Sequence, residues 1–233
     1  PESVFPDEGI TKLYALANLV ILSNNITTSL LLFFILLFCP FILLSQEIYT
    51  PNKEFVFKVR YENNGVVKES YLSLWTQDSV WIYDNAQKQL FYAYHENADF
   101  ETQKTFPYDK AEETGFIETN EKIWLHPPRE DYFYLFEYFP FPEMNFPVQC
   151  EKKGKYAFLG SIDFLDKFSL LRYKTKIECG KPNLIYYYGK AKNRTGEWSF
   201  KYVFDKEKGF VEWRIEYNKT TSIHLTLDKI IPR

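Results

Sequence analysis

Large rings alternating with polar side chains constrain the last third of this chain more than any other feature does. In "EWSFKYVFD", Trp198, Phe200, Tyr202 and Phe204 fall on one side of an extended backbone. In "GFVEWRIEYN", Val211, Trp213, Ile215 and Tyr217 do the same, and Ile223, Leu225 and Leu227 follow in "TSIHLTLDKII". A period of two places every second side chain on one face of a strand, so these segments read as a meander with one buried face. "DKEKG" and "NKT" supply its turns. Upstream, Phe55, Phe57, Val59 and Tyr61 alternate with Val56, Lys58, Arg60 and Glu62, and "NNG" then tolerates the positive φ that a tight hairpin needs. "SVWIYDNAQKQLFYAY" repeats the plan around Asp84-Asn85. "KYAFLGSIDFL", "FSLLRYKTKIEC" and "LIYYYGKAKN" add further strands. Aromatic residues make up 19% of the chain, which suits a pleated, half-buried surface. The expectation is an all-β, mainly antiparallel domain of about ten strands: a single curved sheet, a barrel or a sandwich.

Two regions break the pattern. Residues 95–115 are polar and read as a long loop. "GFIETNEKIWLHPP" reads as a strand or short hairpin ended by Pro127-Pro128. "DYFYLFEYFPFPEMNFP" starts as an aromatic strand or a short helix. It then turns irregular, because Pro140, Pro142 and Pro147 each remove a backbone donor.

The run "SLLLFFILLFCPFILLSQE" precedes the strands, and it predicts an N-terminal hydrophobic helix over residues 29–45. Its uncharged core, Leu30 to Leu44, is shorter than the roughly 20 residues that span a bilayer and fits the apolar part of a secretory signal. Ser45 is the small residue at a cleavage point. A retained anchor over Ile26–Ser45, bent at Pro40, and a lipoprotein modified at Cys39 stay open beside it. Residues 1–28 form an extension whose status the sequence leaves open, and residues 46–233 read as a single β-rich domain. The expected location is exported: periplasmic, outer envelope or secreted, with membrane contact only through residues 29–45 if they are kept. In an oxidising compartment Cys150 and Cys179 pair; otherwise they are separate thiols, and both readings are open.

The chain carries 28 Lys and Arg against 31 Asp and Glu. So even a balance argues against nucleic acid as a partner, since phosphate binding needs a cationic excess or patch. No nucleophile elbow, Walker loop, dinucleotide fingerprint or His-Glu-x-x-His motif is present, and no cofactor or metal is implied. The most distinctive stretch, "LHPPREDYFYLFEYFPFPEMNFP", gathers His126, Arg129, Glu137 and Glu143 among rings. Two carboxylates beside aromatics are what a glycosidase needs, and they are also what a proline-stiffened surface loop holds.

The leader ending "LLSQE", the "HPPRED…PFPE" segment and "FDKEKGFVEWRIEY" together resemble a group of exported, β-rich proteins of Bacteroidota-type bacteria. That resemblance implies export and brings no activity with it. The closing meander, with Gly-Phe after a charged turn, also resembles the curved sheets of LolA/LolB-type lipoprotein carriers. Fold likeness of that kind does not establish function. The leading expectation is an aromatic-lined cavity for a lipid or other apolar molecule, with Trp81, Tyr83, Trp198, Phe200, Trp213 and Ile215 as its lining. The alternative is an envelope module that meets a protein or glycan through exposed rings around Tyr132–Phe146. A carbohydrate hydrolase using Glu137 and Glu143 comes third.

Overall fold

A computed structural model describes residues 47–95, 111–162 and 167–233. The hydrophobic segment at 29–45 lies outside the described residues. Twelve antiparallel strands form one sheet. They are β1 (Lys53–Asn63), β2 (Val66–Trp81), β3 (Asp84–His95), β4 (Glu112–Glu118), β5 (Lys122–Leu125) and β6 (Glu143–Asn145), then β7 (Lys153–Ile162), β8 (Lys167–Cys179), β9 (Leu184–Asn193), β10 (Gly196–Asp205), β11 (Gly209–Tyr217) and β12 (Thr221–Pro232). The expected all-β sheet is therefore present as a single sheet that does not close. The strand number exceeds the expectation for two reasons. Of its two readings "GFIETNEKIWL" takes the hairpin, β4 and β5, and Glu143–Asn145 pairs with β5 inside the proline-rich stretch. β4 also begins at Glu112, inside the segment read as loop, because Thr114 and Phe116 are buried.

The strand order is a meander whose ends meet in the middle. β1 pairs with β12 from Lys53↔Pro232 to Asn63↔Thr221. Each other strand pairs with its sequence neighbours, except that β6 and β7 do not pair with each other and form the two edges. The order is that of a barrel opened along one seam. Register shifts at Val56/Phe57, Val203/Phe204 and Gln77/Val80 bend the strands and deepen the curvature. The β1–β2 turn uses Asn64 and Gly65 at φ 49° and 83°, the left-handed pair that the "NNG" signal supplies. At β9, Gly189 lies opposite Phe200, and a Cβ there would collide with that ring, so the missing side chain is what lets the ring lie on the inner face.

The inner face is filled by the chain itself. A 3-10 helix, Asp131–Tyr138, and the extended residues after it cross the concave side. Tyr132 stacks on Tyr61 at 4.5 Å, Phe136 meets Trp213 at 5.8 Å, and Phe139 meets Trp198 at 5.8 Å and Tyr173 at 5.7 Å. Hydroxyls of the sheet satisfy the backbone of this segment and of the chain leading into it. Tyr202 donates to the Pro140 carbonyl at 2.7 Å, Tyr173 to the Tyr138 carbonyl at 3.1 Å, and Tyr92 to the His126 carbonyl at 2.9 Å. Tyr132 Oη and Ser70 Oγ share a bond of 2.8 Å. Burial holds the Tyr92, Tyr173 and Tyr202 phenols above their ordinary range, so they stay neutral donors.

Tyr202→Phe keeps the ring and removes one donor, leaving the Pro140 carbonyl buried and unpaired. The expected loss is about 1–3 kcal/mol of unfolding free energy, read as a lower midpoint in urea with an unchanged slope.

Candidate functional site

The residues expected to line a cavity do not meet around one. Trp198, Phe200, Trp213 and Ile215 are inner-face residues buried in the main hydrophobic cluster; of the four only Trp198 also borders a described depression, one of about 510 Å3 shared with Arg172, Lys174 and Lys190. Trp81 ends β2, its ring 5.7 Å from that of His126, and Tyr83 lies in the following turn with 78% of its surface exposed. The interior that these six residues were to enclose is occupied by Tyr132, Phe133, Leu135, Phe136 and Phe139. For the same reason Tyr132–Phe146 is not an exposed aromatic patch. Of the rings in its 3-10 helix only Tyr134, at 37%, is open to solvent.

The open seam holds the cleft instead. β6 is three residues long and lies between Pro142 and Pro147, neither of which can donate to a ladder. The β7 edge, ten residues long, therefore has no partner of matching length across the gap. A cleft of about 420 Å3 follows, walled by Trp124, Phe141, Met144, Phe146, Tyr156 and Tyr187, with Glu143 and Lys152 on its polar side. Trp124, Phe141, Phe146, Tyr156 and Tyr187 are half-buried, unlike the rings of the main core. Trp124 and Phe141 lie 5.6 Å apart, and Lys122 and Arg129 approach their faces at 6.0 and 5.7 Å. Burial raises the Tyr156 and Tyr187 phenols, and the Glu143 carboxylate adds to the rise in both, so Glu143 faces them across the seam. The connection between the edges is tied down by the Cys150–Cys179 disulfide, whose Cα atoms are 5.4 Å apart.

The four loop candidates separate. Glu143 lines the cleft, pairs with Lys122 at 3.6 Å and accepts from Asn145 Nδ2 at 2.7 Å. Glu137 is not among the cleft walls and pairs with Arg129 at 3.7 Å. The two carboxyl groups thus do not share this cleft as an acid and its partner must. His126 is buried among Trp81, Trp124 and Phe141, and its Nδ1 donates to the Pro127 carbonyl at 3.1 Å. His95, read as a solvated loop residue, ends β3 and is buried. Among the described residues no group of three or more His, Cys, Asp or Glu could hold a metal, and no helix is long and apolar enough to cross a membrane.

Two clamps escaped the sequence reading. Glu112 accepts the backbone N–H of Arg129 through both oxygens, at 2.9 and 3.0 Å, and of Glu130 at 3.3 Å, fixing where the crossing segment starts. Glu118 accepts Ile48 N–H at 2.7 Å and Tyr49 N–H at 3.0 Å, and Tyr49 Oη accepts from Phe210 N–H at 2.9 Å. Their signal was faint: carboxylates inside strands that otherwise bury one face. Asn193 closes the turn before β10, its Oδ1 accepting from Thr195 N–H, and Asn218 Oδ1 accepts from Glu197 N–H at the start of β10.

No protein-family model and no curated protein matches this sequence. Among solved structures, the chain is similar to an inferred exported protein of Bacteroides fragilis with a YmcC-like fold, at 9% identity and a TM-score of 0.32, over 79% of this chain and 99% of that one. A likeness at that level leaves the site to be read from this chain itself.

The buried histidines set a pH dependence. Burial lowers His126 from 6.5 to about 4, helped by the Arg129 charge, and burial alone lowers His95 to about 4. Between those values the unfolded chain binds more protons than the folded one. Their contribution is complete above the unfolded value and is lost as pH falls towards 4. Wild-type unfolding free energy should drop by about 1–2 kcal/mol per histidine across that window. His126→Gln should flatten the drop, measured by chemical unfolding at a series of pH values.

Proposed function

We propose that this chain is an exported envelope protein that holds an apolar ligand, an acyl chain or a molecule of similar shape, in the seam cleft. The observation that carries this reading is the set of half-buried rings at the seam: Trp124, Phe141, Phe146, Tyr156 and Tyr187 leave apolar surface facing a cleft of about 420 Å3 while the rest of the inner face is packed. That volume falls within the roughly 300–1,000 Å3 of small-molecule sites, and mostly apolar walls with a few polar groups are their usual lining. Glu143 and Lys152 at the polar side suit a ligand with a polar end. Export is supported by the apolar run at residues 29–45 and by the Cys150–Cys179 pair, which persists where the surroundings are oxidising. An envelope module acting through the Tyr132–Phe146 rings has less behind it, because most of those rings face inward.

Native mass spectrometry of protein purified from the envelope reads the processed N-terminus and any retained lipid together. A start near Gln46 and a bound acyl species are expected. Brominated fatty acid should quench tryptophan fluorescence through Trp124, and Trp124→Phe should abolish most of that quenching. Phe141→Ser should weaken binding about tenfold by removing one buried aromatic contact. Quenching that is unchanged in Trp124→Phe would place the ligand elsewhere.

A further inference from the structure

The outer face of β7, β8 and β9 carries a row of cations without matching anions. Lys155 pairs in register with Lys174, and Lys174 with Lys190, so three lysines stand in line across three strands. Neighbouring strands lie about 4.8 Å apart, and like charges placed directly opposite destabilise a sheet. All three are exposed, as is Arg172, one position over on the same face. Among the described residues no carboxylate lies within ion-pair distance of these four. Cations elsewhere on the outer face are matched: Lys58 to Asp228 at 2.7 Å, Lys201 to Glu212 at 2.8 Å, and Lys176 to Glu178 at 2.6 Å. A shallow depression of about 510 Å3 borders the row, walled by Arg172, Lys174, Lys190, Lys192 and Lys219. Two carboxylates also line it, and both are engaged: Glu197 by Lys192, and Glu216 by Arg214 and the Ser199 hydroxyl.

We propose that this face docks the protein on a membrane surface bearing anionic phosphate headgroups. Charges spread over three strands on flexible stems suit a field of separate headgroups better than a single rigid anion. Position favours the same partner. Tyr156 of β7 faces inward to the seam cleft while Lys155 beside it faces outward, so a bilayer held on this face lies at the rim of the cleft. The choice of a membrane over a soluble polyanion rests on the export and acyl-ligand reading above.

The test is co-sedimentation of the chain, as its host cell processes it, with phosphatidylcholine vesicles with and without phosphatidylglycerol. The compared variant is Lys155→Gln/Lys174→Gln/Lys190→Gln, and both proteins carry or lack residues 29–45 alike. Phosphatidylglycerol should raise partitioning of the native chain, and high salt should remove the gain. The triple variant should lose about a hundredfold of it, at several-fold per lysine, while Lys58→Gln loses none. The variant should melt no lower than the native chain, because it removes repulsion. A native chain indifferent to phosphatidylglycerol, or a variant that keeps the gain, overturns the proposal. So does a single-stranded oligonucleotide that captures the native chain more tightly than the vesicles. A native chain whose tryptophan is not quenched by brominated fatty acid but which keeps the lipid gain would remove the acyl reading alone; the reverse pattern would remove this one alone.

Discussion

The hydroxyls of Tyr173 and Tyr202 reach carbonyl oxygens of the segment that crosses the inside of the sheet, and that of Tyr92 reaches the His126 carbonyl just ahead of it. Backbone groups that leave a helix or a ladder must find other partners before they can be buried, and an unpaired one costs about as much as a lost bond. Pro140 and Pro142 ensure that this segment cannot pair as a strand. A sheet lined with phenylalanine alone would have expelled it. Tyrosine brings an apolar body for the core and a donor at its tip, so the same inner face buries rings and receives an irregular chain. Among the described residues the concavity is consequently filled from within, and a cleft of about 420 Å3 remains at the seam.

That displacement explains which parts of the architecture could be read in advance. Phe55 to Tyr61 and Trp198 to Phe204 announce their strands and buried faces through alternation alone, since period two is a local property. The turn at Asn64-Gly65 is equally local. The pairing of β1 with β12 is not, because no feature within either strand names its partner across the length of the chain. Nor is the site. Trp198 and Trp213 carry the same pattern whether the sheet encloses a void or a plug. What decides is where Phe133, Phe136 and Phe139 go, and their spacing fits a strand or a short helix. Trp124 and Phe141 looked like ordinary members of a proline-rich stretch, and only the unpaired edges of β6 and β7 make them the walls of a cleft.

The seam follows from proline placement rather than from any lack of strand-forming residues. β7 presents a full edge, but Pro142 and Pro147 confine β6 to three residues, and Glu143 within it is held by Lys122 and Asn145 on its own side. Closure would need donors those prolines lack. Glu112 and Glu118 anchor the opposite ends of the same construction: one holds the entry of the crossing segment and the other the chain just before β1.

Charge is where linear reading fails most clearly. The sum over the chain is −3, and cations and anions are interspersed along the sequence, so nothing in its order marks a patch. Antiparallel register redistributes them. Lys155, Lys174 and Lys190 are distant in sequence and become neighbours because each pairing step adds one strand at fixed spacing. A pairing register shifted by one residue would turn Lys174 to the inner face and bring Tyr173 out, so the register that buries the Tyr173 ring against Phe139 and Phe200 also lines up the lysines. The packing of the inner face thus fixes the electrostatics of the outer one. Four cations left unmatched where Lys58, Lys176 and Lys201 on the same outer face all have carboxylates are the observation on which the proposed anionic surface rests.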